Sequence, residues 1–186
     1  MPFQFTNPCT NDVYEVDDFR SCHMKLVKKG VVPLTGFAQQ YEELGKRCKP
    51  FLPPMQAAVM AENINGEESE YFIKTLTTLA NRWEAMPSID DEEEYPTRAY
   101  MKFTCGNFTW WMCAKPTDTN PRAFGFVHLG IDQDAEFGYF MFHVVDDYPQ
   151  ECIMSMPMLN VELNFEPIVI PPKTDRYKVL QLLQKQ

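Results

Sequence analysis

Residues 99–145 read AYMKFTCGNFTWWMCAKPTDTNPRAFGFVHLGIDQDAEFGYFMFHVV. Runs rich in aromatic and β-branched residues alternate there with turn chemistry: Gly106-Asn107, the polar stretch 116–121 and the carboxylate-bearing stretch 132–136. Such runs, joined by connections this short, predict an antiparallel meander. The expected strands are 97–105, 108–114, 123–131 and 137–145, with a fifth at 161–165. Alternation puts Phe124, Phe126 and His128 on one face of the third strand and Val127, Leu129 and Ile131 on the other. In the fourth, Phe137, Tyr139, Met141 and His143 oppose Phe140, Phe142 and Val144. Both faces are apolar, so both should be covered.

The strongest helical pattern spans 67–86. Phe72, Leu76, Leu79, Trp83 and Met86 form one apolar stripe. Glu67, Glu68 and Glu70 suit the positive end of the helix dipole, and Pro87 stops the helix. This helix is the expected cover for one face of the sheet. N-terminal segments or a partner would cover the other. Shorter helices are expected at 37–48 (with Thr35 as cap and Phe37, Tyr41 and Leu44 on one face), at 55–62 and at 175–186, where Tyr177, Leu180 and Leu183 align. Prolines and glycines punctuate residues 1–36. The predicted architecture is α+β: a meander of about five strands on a long amphipathic helix. A single domain over 37–186 follows an irregular N-terminal arm over 1–36.

At 186 residues and 45% hydrophobic composition the chain can bury a core without metals or disulfides. No apolar run reaches the roughly 18 residues a membrane helix needs. The first ten residues lack a basic and then apolar leader pattern. The expectation is a cytoplasmic protein with no membrane contact. Cys9, Cys22, Cys48, Cys105, Cys113 and Cys152 show no C-x-x-C spacing and are expected reduced, packed as small hydrophobes. Cys22-His23 has no second pair at zinc spacing.

The net charge of −9 is concentrated. Residues 61–170 hold 6 basic and 19 acidic side chains, a net of −13. A segment of this sign repels phosphate backbones, which argues against direct nucleic-acid binding, and is drawn to basic surfaces. The run Asp90, Asp91, Glu92, Glu93 and Glu94 repels itself and predicts an exposed loop. With Asp132, Asp134 and Glu136 it forms the candidate partner-binding surface. The competing reading is that these charges only keep an aromatic-rich domain dissolved.

No phosphate loop, dinucleotide fingerprint, G-x-S-x-G elbow or H-E-x-x-H helix occurs. His128 and His143 are the sharpest candidates for chemistry. A hairpin centred near residues 134–135 would face the two imidazoles across the ladder, where Asp134 or Glu136 would complete a divalent metal site. A register slip of one residue separates them, and structural roles compete for both. Asp146-Asp147 and the 132–136 carboxylates are candidates for acid–base work. Met154, Met156 and Met158 alternate as a strand would. No cofactor is expected.

Between residue 86 and about residue 173 several short motifs recur together. They are Met86-Pro87, then Tyr100 and Phe103, then Asn107-Phe108-Thr109-Trp110 with Trp111. Ala123-Phe124-Gly125-Phe126 follows with Leu129-Gly130, then Ala135-Glu136-Phe137-Gly138-Tyr139. The set resembles a family of small proteins carried by plasmids, integrative elements and phages, catalogued as domain of unknown function 2958. That family usually has Leu at the position of Phe137, and an acidic residue where this chain has Ala114-Lys115. The resemblance covers about half the chain. It implies a mobile-element accessory protein, of an anti-defence type such as antirestriction or anti-CRISPR, and implies no reaction. The partner expected on this reading is a host protein with a basic surface, such as a nucleic-acid-binding enzyme. The alternatives are a small metal-dependent enzyme using His128 and His143, and a structural subunit that docks through its N-terminus or C-terminal helix.

Overall fold

The structure, a computed structural model, describes residues 3–6, 13–16, 24–28, 41–91, 96–143, 152–156 and 158–185. Its elements in chain order are β1 (Phe3–Thr6), β2 (Val13–Val16), β3 (Met24–Lys28), α1 (Glu42–Cys48), α2 (Pro54–Ile64), α3 (Ser69–Ala85) and β4 (Arg98–Ala99). Then come β5 (Met101–Cys105), β6 (Phe108–Ala114), β7 (Arg122–Leu129), β8 (Glu136–Met141), β9 (Asn160–Val161), β10 (Ile168–Val169) and α4 (Arg176–Leu183). The fold is α+β. Its main sheet is antiparallel and five-stranded, ordered β8-β7-β6-β5-β9.

The meander follows from its turns. Gly106, at φ 58°, closes the β5–β6 hairpin, so that Cys105 pairs with Phe108. Between β6 and β7 the register shifts, with Met112 opposite Gly125 and Ala114 opposite Phe124. The extra residue, Cys113, is a β-bulge. Gly125 is required beside it, because a Cβ there would lie 2.2 Å from the Trp111 carbonyl oxygen.

Adjacent tryptophans on β6 serve opposite faces, as period-two geometry demands. Trp110 joins a first core with Met101, Phe103, Met112 and Phe142, which also holds Leu76, Leu79, Ala80 and Trp83 of α3 and Met60 and Ile64 of α2. Phe142 packs edge-on to Phe103 at 5.2 Å and tilted against Trp83 at 5.7 Å. Arg47 of α1 clamps α3, with Nε and Nη2 on the Glu84 carboxylate at 2.7 and 2.9 Å and Nη2 on Asn81 at 2.6 Å.

Trp111 lies in a second core with Cys113, Phe126, Phe165 and Ile170, closed by Val179, Leu180 and Leu183 of α4. Asp175 starts that helix: its Oδ1 accepts from the Tyr177 N–H at 3.0 Å. The second face was expected to be covered by N-terminal segments or a partner. Among the described residues it is covered by the chain's own C-terminal segment.

Several other expectations change. The arm over 1–36 is not irregular where it is described: β1, β2 and β3 form an antiparallel three-stranded sheet, and β3 lies against the turn Ile153–Ser155. Its strands are four or five residues long, and the punctuation around them hides a pairing that only tertiary hydrogen bonding supplies. The expected strand 97–105 breaks at Tyr100, and β4 pairs with β10 in a separate ribbon. Met154 belongs to the 3-10 turn Ile153–Ser155 rather than to a strand. The helix expected over 37–48 is seen from Glu42, and residues 29–40 lie outside the described residues.

The two edges of the main sheet differ. Gln56 of α2 reaches β9 and closes it in the manner of a neighbouring strand: its Nε2 donates to the Val161 carbonyl at 2.9 Å and its Oε1 accepts from the Val161 N–H at 2.8 Å. At the other edge, β8 pairs with β7 alone among the described strands.

Candidate functional site

His128 and His143 do not meet. The β7–β8 register pairs Val127 with Glu136 and Arg122 with Met141, so the hairpin is not centred on 134–135. Gly130, at φ 84°, and the 3-10 turn Asp132–Asp134 take up the loop. His128 therefore stands at the hairpin end of β7. His143 lies at the opposite end, where its N–H donates to the Pro121 carbonyl at 3.2 Å. Seven residues of strand, roughly 23 Å, separate Pro121 from His128. The expected two-histidine metal site is corrected accordingly. Among the described residues no three His, Cys, Asp or Glu groups stand together as a metal site.

Each histidine has its own role. His143 Nε2 lies 2.8 Å from the Pro50 carbonyl oxygen. A carbonyl only accepts, so Nε2 carries the proton. The ring sits against Phe142 at 5.0 Å and Trp83 at 6.3 Å. Burial pulls its pKa below the ordinary histidine value, against the Pro50 hydrogen bond and Asp118. His128 Nε2 lies 2.9 Å from Asp132 Oδ1. Cys48, Cys105, Cys113 and Cys152 are buried free thiols, and burial pushes Cys152 up to about 11. Cys9, Cys22 and the Asp146-Asp147 pair lie outside the described residues.

The candidate acidic residues divide into two groups. Asp90 and Asp91 belong to a 3-10 turn, Ile89–Asp91, rather than a free loop. Buried Ile89 anchors it, and its N–H donates to the Lys115 carbonyl at 2.8 Å. This fixes the pair beyond the end of β6. Asp132, Asp134 and Glu136 sit at the hairpin end of β7 and β8. All five side chains are exposed. The two groups lie on the order of 20 Å apart along β7. Glu92, Glu93 and Glu94 fall outside the described residues.

Both groups have apolar neighbours. Asp91 lines a hollow with Pro87, Pro96, Tyr100, Ala114 and Phe124. Leu129 and Ile131, 51% and 56% exposed, flank the hairpin group, and Tyr139, 57% exposed, stands farther along β8 opposite Phe124. Phe124 stacks on Phe137 at 6.1 Å and meets Tyr139 edge-on at 4.9 Å, while the Arg122 guanidinium lies 5.4 Å over the Tyr139 ring.

A polar hollow of about 360 Å³ opens on the second sheet face beside that hairpin. Its floor follows from the register: Thr104, Thr109 and His128 form one cross-strand row, and Lys102 and Trp111 begin the next. The hairpin turn at Gly106 and Asn107 and the helix-end residue Gln184 form its rim. Outside it, Thr104 Oγ1 donates to Glu162 Oε1 at 3.1 Å. Sequence reading missed this site, because threonines on strands look like ordinary β-formers. The signal was present: Lys102, Thr104, Thr109 and His128 interrupt a face that is otherwise apolar.

The chain matches no protein-family model, no curated protein and no solved structure.

Proposed function

We propose that this protein is a non-enzymatic binder that engages a basic protein surface through the acidic hairpin end of β8. One observation carries the reading. Asp132, Asp134 and Glu136 are exposed with Leu129 and Ile131 at the β7–β8 turn, and the adjoining strand β8, which carries the exposed Tyr139, is a sheet edge that no other described strand covers, whereas Gln56 closes the opposite edge. Native proteins usually blunt such an edge, and an edge that keeps apolar side chains beside charge suits a partner. Carboxylates around an apolar centre steer a cationic surface into register, and the apolar centre supplies the holding energy.

In this reading the sheet rides on α3 as an amphipathic platform and presents β8 outward. The resemblance to mobile-element proteins points to the class of partner, a host nucleic-acid-binding enzyme met in the cytoplasm, and to an anti-defence role. Asp90 and Asp91 form a second acidic contact that a large partner would reach.

The test is capture from host lysate at low and high salt, with wild type beside the triple variant Asp132→Asn, Asp134→Asn, Glu136→Gln. A basic protein retained by wild type, released by salt and lost by the variant supports the reading. Equal retention by both, or retention that salt leaves unchanged, counts against it.

A further inference from the structure

Beside the second core lies another hollow, of about 200 Å³, lined by Phe124 of β7, Phe137 of β8, Pro96 and Ile170. Its chemistry is apolar. Phe124 and Phe137 pack at the margin of that core, to which Ile170 belongs. The two phenyl rings lie within 8° of parallel, so together they make a flat wall. A flat ring laid against such a wall gains contact over its whole face. An apolar cavity of about 150 Å³ takes up benzene. The larger volume here leaves room for one ring and a short side group.

The charge comes from Lys173, which lines the same hollow and is exposed. No lining residue is acidic, and Lys173 has no ion pair among the described residues. Its backbone stands at φ 58°, and it is the sole non-glycine residue with a positive φ among the described residues. That conformation is strained for a residue with a Cβ and free for glycine. The turn that holds it is fixed. Pro171 and Pro172 set their own φ, and Thr174 Oγ1 donates to the Pro171 carbonyl at 2.5 Å. A lysine held in strain on a rigid turn, beside apolar walls, points to a use for its side chain.

The adjoining hollow that Asp91 lines makes a contrast. It shares Pro96 and Phe124, but Asp91 and Arg98 bring both signs of charge to it. The Lys173 hollow carries one sign only.

We propose that this hollow binds a small aromatic monocarboxylate, with its ring against Phe124 and Phe137 and its carboxylate on the Lys173 ammonium. One ammonium balances one charge. A phosphate monoester carries roughly −1.5 to −2 at neutral pH and meets no second cation in the lining. A neutral ring leaves the ammonium unused, and a cationic one is repelled. The site is independent of partner binding at β8, since Asp132, Asp134 and Glu136 do not line it.

The experiment is a two-dimensional methyl and amide NMR titration of the full chain. Phenylacetate is the probe. Its counterparts are 2-phenylethanol (neutral), phenethylamine (cationic), isovalerate (a carboxylate without a ring) and phenyl phosphate. The expected result is a saturable shift of the Ile170 methyl groups and the Lys173 amide with phenylacetate, which binds more tightly than every counterpart. Lys173→Gly removes the ammonium and suits the left-handed backbone, so it spares the fold. It should weaken phenylacetate roughly three- to tenfold and leave 2-phenylethanol unchanged. The proposal is overturned if phenylacetate shifts neither signal. It is also overturned if any counterpart binds as tightly as phenylacetate, or if Lys173→Gly binds phenylacetate as tightly as wild type.

Discussion

The Lys115 ammonium donates to the Trp83 carbonyl at 2.8 Å and to the Glu84 carbonyl at 3.0 Å. A residue just beyond β6 thus closes the C-terminal end of α3, where backbone carbonyls lack helical partners and the helix dipole favours a cation. Burial pulls the ammonium's pKa below the ordinary lysine value, while Glu84 and Asp91 oppose that shift. The Lys115 charge holds helix to sheet.

Lys115→Met keeps the apolar stem and removes the donors. It is expected to destabilise the fold by about 1–2 kcal/mol, the range for charge-assisted hydrogen bonds at a helix end. Urea unfolding checks this. The midpoint should fall with an unchanged slope.

Gly125 and Gly138 pair with each other across β7 and β8, yet they should respond oppositely to alanine. A Cβ on Gly125 meets the Trp111 carbonyl oxygen at 2.2 Å and the Met112 Cα at 3.0 Å, and backbone cannot move aside cheaply. On Gly138 it meets nothing within 4 Å. Gly125→Ala should cost more than about 3 kcal/mol, and Gly138→Ala should stay within about 0.5 kcal/mol of wild type. Thermal unfolding of the two variants decides it.

The Gly125 bulge shows where sequence reading stopped. Strand existence at 108–114 and 123–131 was legible from aromatic alternation, and so was the hairpin at Gly106-Asn107. The β7–β8 register was not, because strands apolar on both faces carry no preference for one slip over another. The turn Asp132–Asp134 and the left-handed Gly130 set it, and with it the separation of His128 from His143. The apolar stripe of α4 was legible in part through Leu180 and Leu183. Its destination was not, since helix periodicity names a buried face but not what covers it.

Burial of His143 ties stability to pH. The folded pKa is depressed, so the unfolded chain binds more protons between the folded value and 6.5. The stabilisation is present above 6.5 and is lost as pH falls through the folded value. The slope in that window reaches at most about 1.4 kcal/mol per pH unit. His143→Gln keeps a donor for the Pro50 carbonyl without the titration. Its stability should vary less between about pH 6.5 and 5 than that of wild type, measured by chemical denaturation at each pH.

The C-terminal helix packs into the fold through Val179, Leu180 and Leu183. Leu183 is fully buried in the second core. Leu183→Ala should cost about 2–5 kcal/mol, and Asp175→Ala about 1 kcal/mol through the lost cap. Tyr177→Ala, at a side chain 45% exposed, should change little. Calorimetry of the three variants gives the ranking.

The central claim is that β8 and its acidic turn are where the partner sits. The most direct measurement places a photo-crosslinking amino acid at Tyr139, on β8, or at Tyr177, on α4, in cells that contain the partner. The account predicts a basic protein joined to the Tyr139 site, diminished by high salt and by neutralising Asp132, Asp134 and Glu136, and absent from the Tyr177 site. The same adduct from both positions, or a Tyr139 adduct indifferent to those three carboxylates, would contradict it.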